Sequence, residues 1–180
     1  MLYYIHGYMS EPNSAKGVLL KEKLKVKPIK YRDCAPEDLV VSDCLASIEK
    51  EVKTDKNVIL IGSSFGGFLA AKTALKNPNV KQIILLNPAI IPPGVDITRI
   101  RGMPQRILSD MKDVGLFKEK IASKIFILAG TKDDVVPNEW VIEFAMEQEA
   151  TLKFLDDDHS FTQNMNKLPD IIGNILNKKH

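Results

Sequence analysis

The stretch NVILIGSSFGGFLAAK, residues 57–72, decides the fold of this chain. Its apolar part, Val58–Ile61, shows no alternation with polar residues, which is typical of a strand buried on both faces of a parallel sheet. After Ser64, apolar residues recur at helical spacing as far as Leu75, and Asn77-Pro78 predicts the end of that helix. The serines and glycines between the two patterns therefore form a very tight turn from a strand into a helix.

Gly62, Ser64 and Gly66 in this turn fit the pattern G-x-S-x-G. In a nucleophile elbow, the pattern places a serine on a strained turn with its hydroxyl exposed, and the glycines keep side chains away from the turn. The alternative is a glycine-rich turn without chemistry. A phosphate-binding loop is not predicted, because no lysine follows the glycines and G-x-G-x-x-G is absent.

The composition is that of an ordinary globular protein. The 180 residues suit one domain, covering residues 1–180, with 44% hydrophobic and 27% charged residues. A net charge of +2 does not indicate a nucleic-acid partner or an anionic membrane surface. No apolar stretch approaches the roughly 20 residues that span a bilayer, and the N-terminus does not resemble a secretory signal, so a cytoplasmic protein is expected.

Strand and helix patterns alternate along the chain. Six strands are predicted, at Leu2–His6, Pro28–Arg32, Val58–Ile61, Val80–Leu86, Ile125–Leu128 and Leu152–Leu155. Helices are predicted over residues 14–25, 36–53, 138–149 and 162–177, in addition to the helix that follows Ser64. Repeated strand–helix units predict a mostly parallel six-stranded sheet with helices on both faces.

Residues 90–120 fall outside this alternation. They contain several prolines and mixed polarity, and we interpret them as a short insertion over the site, partly helical near Gln105–Lys112. In parallel sheets, ligands lie beyond the carboxyl ends of the strands. The segments that follow the predicted strands are therefore where chemistry is expected.

A catalytic serine needs a base within hydrogen-bond reach and a group that orients the base. The chain has three histidines, of which His180 is terminal and His6 ends the first predicted strand. His159 follows the last strand, where the base of a doubly wound hydrolase lies, so it is the predicted base. A surface-loop histidine is the alternative. Asp133 and Asp134, which follow the fifth strand, are the candidates for the orienting acid.

Five runs of the sequence point to one family: YIHGYMSEPNSAK, IGSSFGG, LNPAIIP, GTKDDVVP and DDDHSF. Together they resemble the small bacterial α/β-hydrolases of the YqiA/YcfP esterase type, from Tyr4 to the last helix. The resemblance implies a compact α/β-hydrolase fold, and it carries over Ser64 as nucleophile, His159 as base and one aspartate as acid. The pattern G-x-x-D-x-x-V-P, common in such acid loops, selects Asp133 over Asp134.

Two backbone N–H groups are expected to form the oxyanion hole. One belongs to Phe65, directly after the nucleophile, and the resemblance gives Tyr8 as the other. The expected pocket wall consists of apolar residues from the first loop and from the insertion: Met9, Ile90, Ile91, Ile107 and Met111.

Several further residues have plainer interpretations. His6 is interpreted as a structural loop residue rather than a second base. Ser14 is interpreted as a helix cap and Lys16 as a solvated side chain, in preference to a role for either in the site. The three acids Asp156–Asp158 are interpreted as a solvated turn. Cys44 is predicted in the core, and neither it nor Cys34 has zinc-site spacing.

The activity expected from these residues is hydrolysis of carboxylic esters or thioesters of small acyl substrates, through an acyl-enzyme on Ser64. No cofactor, no metal and no nucleic-acid partner are expected, and the sequence leaves the oligomeric state open. One alternative is a non-catalytic α/β-hydrolase scaffold used for binding, against which the intact serine, histidine and aspartate count. Another is a hydrolase of C–C bonds or small amides, which the same triad permits.

Overall fold

The structure, a computed structural model, describes residues 1–177. The strands are β1 (Leu2–Ile5), β2 (Lys27–Ile29), β3 (Val58–Ser63), β4 (Val80–Leu86), β5 (Lys124–Gly130) and β6 (Thr151–Leu155). The α-helices are α1 (Ala15–Leu24), α2 (Val41–Val52), α3 (Phe65–Lys76), α4 (Gln105–Met111), α5 (Gly115–Lys118), α6 (Asn138–Gln148) and α7 (Leu168–Asn177).

The six strands form one sheet in the order β2-β1-β3-β4-β5-β6, and every pairing is parallel. The chain runs outward from β1 to β2, returns to the other side of β1 with β3, and then continues strand by strand to β6. The direction reverses between β1 and β3, and doubly wound sheets bind ligands beyond the carboxyl ends of strands at such a reversal. The predicted six-stranded parallel architecture is confirmed.

Two apolar layers cover the sheet. In β4, Ile83 and Leu85 pack into the larger layer together with residues of α2, α3 and α6, whereas Ile84 and Leu86 pack into the smaller layer with α1 and α7. Consecutive residues of a strand point to opposite faces of the sheet, and here both faces are covered. This explains why the central strands are continuous apolar runs in the sequence.

The helix predicted over residues 36–53 is divided in the structure. Pro36–Asp38 forms a short 3₁₀ turn, Leu39 has extended backbone and is fully buried, and α2 begins only at Val41. Burial of the Leu39 side chain in the larger apolar layer favours the extended backbone over a continuous helix.

The last helix begins later than predicted. Residues 160–164 form a loop in which Phe161 has φ 60°, a value that a right-handed helix does not allow. The side chains of Asp157 and Asp158 accept backbone N–H groups of this loop. A 3₁₀ turn over Met165–Lys167 follows, and α7 begins at Leu168.

Within residues 1–177, no helix combines the length and the apolar composition needed to cross a membrane.

The insertion packs against the sheet layer beside the carboxyl ends of the strands. It contains α4, where the sequence predicts a helix, the short α5, and a 3₁₀ turn over Ile97–Arg99. An ion pair between Lys72 of α3 and Asp113 joins the insertion to the helix that follows the elbow. This contact fixes the segment after α4 against the second half of α3.

Candidate active site

Ser64 lies on the turn between β3 and α3 with φ 55° and ψ −119°. Residues other than glycine rarely adopt this backbone conformation, so the turn is strained. Backbone hydrogen bonds hold Ser64 in this conformation. The Ser64 N–H donates to the Leu86 carbonyl at 2.9 Å, and the Ser64 carbonyl accepts from the N–H groups of Gly67 and Ala89 at 2.8 and 3.0 Å. The turn therefore has the geometry of a nucleophile elbow.

Close packing around the turn requires two of its glycines. A Cβ atom on Gly66 would lie 2.1 Å from the Ile5 carbonyl oxygen, and one on Gly62 would lie 2.3 Å from the Gly66 carbonyl oxygen. Both distances are far inside van der Waals contact. The first turn of α3 can therefore approach β1 and β3 only because these positions lack side chains.

Asp133 and His159 are in direct contact. The His159 Nδ1 atom lies 2.8 and 2.9 Å from the two carboxylate oxygens of Asp133, whose side chain is only 1% exposed. The same carboxylate accepts the backbone N–H groups of Val135 and Val136, each at 2.9 Å. Asp134 is exposed instead. Of the two candidate acids, the structure thus places Asp133 against the imidazole.

Asn87, at the end of β4, connects the loops of Asp133 and His159. Its amide nitrogen donates to the carbonyls of Asp158 and His159 at 3.1 and 2.9 Å, and its amide oxygen accepts the Gly130 N–H at 2.7 Å. The residue is 1% exposed and has φ 44°, a conformation that asparagine tolerates better than most residues. Asn87 therefore fixes the loops on which the acid and the base lie.

We expect Asn87→Ala to lower the free energy of unfolding by several kcal/mol. Each buried backbone group left without a partner costs roughly 1–3 kcal/mol, and alanine is strained at positive φ. Urea unfolding followed by circular dichroism measures the loss. Asn174→Ala is the matched control, because Asn174 is exposed on α7 and its replacement is expected to change stability by less than about 0.5 kcal/mol. Equal stability of the two variants would contradict the bridging role of Asn87.

A cavity of about 640 Å³ opens beyond the carboxyl ends of β1 and β3. Ser64 and His159 both line it. Within residues 1–177, His159 is hydrogen-bonded to Asp133, and it forms no direct hydrogen bond with Ser64. Nucleophile–base hydrogen bonds are often long in ligand-free sites and tighten when a substrate binds. The strained serine and the oriented histidine thus face one shared space.

The expected pocket residues are divided between the cavity wall and the core. Met9, Ile91 and Met111 line the cavity, as predicted for a pocket wall. Ile90 and Ile107, which the sequence also predicts on the wall, do not line it. All four isoleucine and methionine residues of the insertion named here are at most 2% exposed in the larger apolar layer, but only Ile91 and Met111 also border the cavity. The sequence did not predict several further apolar residues that line the cavity, among them Ile100, Met103, Leu108, Val135, Val136, Trp140 and Met165.

The two residues expected to supply the oxyanion hole flank the elbow. Tyr8 lines the cavity, and Phe65 is the first residue of α3, where helix N–H groups have no partner within the helix. The guanidinium of Arg32 donates to the carbonyls of Tyr8 and Ser10 at 3.1 and 2.9 Å, and its side chain is 5% exposed. Arg32, which sequence reasoning missed, therefore fixes the backbone of the Tyr8 loop.

His6 lies under this loop rather than in the cavity. Its ring is fully buried and stacks on Tyr31 with ring centroids 4.3 Å apart. Burial lowers the pKa of His6, so the ring is neutral near pH 7. This placement agrees with a structural role. His180 lies outside the described residues.

Two interpretations of charged residues were wrong. Lys16 is not solvated: it is 8% exposed, and its Nζ donates to the Ser63 hydroxyl at 3.1 Å. Asp157 is fully buried rather than part of a solvated turn, because its carboxylate accepts the backbone N–H groups of the loop before α7. Ser14 does cap α1, accepting the Gly17 N–H at 3.4 Å.

Cys44 is buried in the core and Cys34 is exposed, both as free thiols. In the described part of the chain, no group of three or more His, Cys, Asp or Glu side chains is arranged to hold a metal ion.

A sequence model of the family described as "Uncharacterised protein family (UPF0227)" matches residues 1–175. No curated protein matches the chain by sequence.

Solved structures resemble the chain over nearly its whole length. Est1E from Butyrivibrio proteoclasticus with bound ferulic acid is 18% identical, with a TM-score of 0.78, over 97% of this chain and 87% of that protein. Alpha/beta hydrolase domain-containing protein 10 from mouse is 19% identical, with a TM-score of 0.73, over 97% and 88% of the two chains. A putative hydrolase of the alpha/beta superfamily from Xanthomonas campestris is 21% identical, with a TM-score of 0.68, over 97% and 96%. These likenesses show that the chain has the α/β-hydrolase fold.

Proposed function

The chain belongs to the UPF0227 family, and from the geometry of its site we propose that it is a serine hydrolase of carboxylic esters or thioesters of small acyl substrates. The proposal rests on one observation. A serine held in a strained elbow shares a cavity with a histidine whose Nδ1 is bonded to a buried aspartate. The fold alone does not give this function, because one fold hosts many chemistries. Est1E, a protein of this fold, binds ferulic acid, which agrees with a cavity for a small carbonyl compound.

In the proposed acylation, the Ser64 oxygen attacks the carbonyl carbon while His159 Nε2 takes the hydroxyl proton. Asp133 holds the Nδ1–H of the ring and stabilises the imidazolium that forms. The backbone N–H groups of Tyr8 and Phe65 stabilise the developing oxyanion. The tetrahedral intermediate then collapses, the carbon–oxygen or carbon–sulfur bond to the leaving group breaks, and the imidazolium protonates that group.

In the proposed deacylation, water replaces the leaving group. His159 takes a proton from water, the hydroxide oxygen bonds to the acyl carbon, and the proton returns to the Ser64 oxygen as the ester to the enzyme breaks. No cofactor enters either half-reaction. The apolar wall supplied by the insertion would hold the acyl chain and keep bulk water from the oxyanion.

Labelling with a fluorophosphonate probe tests the proposal directly. A nucleophilic Ser64 is expected to be modified, and mass spectrometry of peptides would locate the label. Folded protein that takes up no label and hydrolyses no member of a panel of p-nitrophenyl esters and acyl-CoA thioesters of graded length would favour the non-catalytic binding scaffold.

We expect Ile91→Ala and Met111→Ala to shift the preferred acyl chain length. Both side chains lie on the cavity wall, and each methylene gained or lost in an apolar pocket changes discrimination by roughly 1–3 kcal/mol. The measurement is kcat/KM for p-nitrophenyl esters of increasing chain length. Ile142→Ala, which removes a half-exposed isoleucine of α6 that does not line the cavity, is the control. An unchanged length profile in both wall variants would place the acyl pocket elsewhere.

A further inference from the structure

The cavity has an unequal distribution of charge. Lys16 and Arg101 line it, and its described lining includes no aspartate or glutamate. Arg101 is exposed on the insertion, whereas Lys16 is buried close to the elbow. The carboxylate of Asp133 lies behind His159 and faces its ring rather than the cavity. A ligand in the cavity therefore meets cationic groups and apolar walls.

The Lys16 ammonium has one hydrogen-bond partner, the neutral hydroxyl of Ser63 at 3.1 Å. The ring of Phe161 lies 5.2 Å from Nζ and adds a cation–π contact. Among residues 1–177, no carboxylate forms a salt bridge with Lys16. Because an ammonium has three N–H donors, Lys16 retains donor capacity on the cavity side.

The nearest acids are already engaged. Asp133 is bonded to His159, and Asp157 and Asp158 accept backbone N–H groups of their own loop. These acids favour the charged form of Lys16, but burial has the larger effect and lowers the pKa of Lys16 to about 8. Most Lys16 side chains are therefore still protonated at pH 7. A buried charge without a paired counter-ion lowers the stability of the folded protein.

The start of α1 adds to the positive potential at this end of the cavity. Ser14, the N-cap, and Ala15 line the cavity, and Lys16 is the second residue of the ten-residue helix. The first turn contains no acidic residue. The N-terminal end of a helix is the positive end of its dipole, so a cation there is unfavourable for the free protein and favourable for a bound anion.

We propose that the cavity recognises a carboxylate group on the substrate through Lys16 and the N-terminus of α1. This inference rests on the proposed function of the same site and narrows its substrates to esters that carry a carboxylate. Ser63, which is bonded to Lys16, directly precedes Ser64. By covalent lengths, the ammonium and the Ser64 hydroxyl are thus at most about 12 Å apart. The carboxylate and the scissile carbonyl therefore belong to one small molecule.

Two matched pairs of esters test the proposal, because the carboxylate can lie on either side of the scissile bond. Monomethyl glutarate is compared with methyl hexanoate, and the butyric ester of glycolic acid is compared with propyl butyrate. We expect kcat/KM for at least one carboxylate ester to exceed that of its neutral partner by about ten- to a hundredfold, the usual range for a hydrogen bond to a charged group. The absence of a preference in both pairs would overturn the proposal.

Lys16→Met is expected to remove this preference, since it keeps the apolar stem and loses the charge. Lys16→Arg should retain much of it, and Lys21→Met, which removes an exposed lysine of the same helix, should leave it unchanged. The measured quantity is the ratio of kcat/KM for the carboxylate ester to kcat/KM for its neutral partner. Loss of a merely structural role of Lys16 would lower both values together and leave this ratio unchanged. A preference that persists in folded Lys16→Met would place the anion site elsewhere and contradict the assignment.

Calorimetric binding to the Ser64→Ala protein separates this inference from the proposed function. Monomethyl glutarate and the glycolate ester are titrated into Ser64→Ala and into Ser64→Ala with Lys16→Met. We expect at least a tenfold higher Kd in the double variant for the ester that binds. If the wild type hydrolyses no ester, the proposed function fails, but this titration still tests the carboxylate site. If neither ester binds to Ser64→Ala, the carboxylate site is refuted.

Discussion

The Ser64→Ala enzyme is expected to lose about 10⁴–10⁶-fold in kcat on a short p-nitrophenyl ester, the range found when a triad nucleophile is removed. The hydroxyl is the group that bonds to the acyl carbon, and its loss leaves only the binding site and the oxyanion donors. Alanine keeps the Cβ atom of the elbow and the backbone hydrogen bonds that hold the turn. Circular dichroism should therefore show an intact fold.

Ser63→Ala is the matched control for this result. Ser63 is also buried beside the cavity, but its hydroxyl accepts a hydrogen bond from Lys16. Its replacement should lower kcat far less, by about tenfold or less, because the adjacent nucleophile remains. If Ser63→Ala is as inactive as Ser64→Ala, the serine assigned as nucleophile is the wrong one of the two.

The strained backbone of Ser64 explains why the sequence was sufficient to predict the elbow. Gly62 and Gly66 exclude side chains where α3 approaches β1 and β3, so the pattern G-x-S-x-G reflects a packing requirement that is local in the chain. The continuous apolar strands likewise follow from a sheet covered on both faces. The family match over residues 1–175 confirms the family to which the motifs point.

Other site residues depend on contacts between distant parts of the chain. Lys16 lies 47 residues from its partner Ser63, and Asn87 lies more than 70 residues from the carbonyls it bonds. Amphipathic patterns do not indicate such long-range pairs. From its sequence context, Lys16 is therefore interpreted as one more exposed lysine of a basic helix. The sequence does contain partial signals. Lys16 falls within the run YIHGYMSEPNSAK, and Asn87 directly precedes a proline after a buried strand.

Ile90 and Ile107 show a further limit of sequence reasoning. Both are apolar residues of the insertion, as are Ile91 and Leu108, yet only the latter two line the cavity. Ile90 and Ile91 lie in an irregular segment, where no periodicity indicates which side chain borders the site. Ile107 and Leu108 are neighbours on the short helix α4, and both are buried, so their apolar character alone does not distinguish them. The composition of the insertion therefore predicted an apolar wall but not which side chains form it.

Asp133→Asn is expected to lower kcat by about 10⁴-fold, as for the equivalent change in another serine hydrolase. Asparagine can keep its oxygen on the N–H groups of Val135 and Val136, which the Asp133 carboxylate now accepts. Its amide nitrogen would then face His159 Nδ1 as a donor. Nδ1 must accept that bond, so the ring proton moves to Nε2, and Nε2 can no longer take the proton of Ser64.

Asp134→Asn is the matched control, since it makes the same chemical change one residue away. Asp134 is exposed, and the variant loses only a loop carboxylate, so its kcat should stay within about tenfold of the wild-type value. The measurement is kcat on a short p-nitrophenyl ester for both variants, with circular dichroism to confirm folding. An inactive Asp134→Asn beside an active Asp133→Asn would refute the acid assignment and leave Ser64 and His159 in place. Nearly full activity in both variants would mean that the buried contact between Asp133 and His159 is not the one that orients the base.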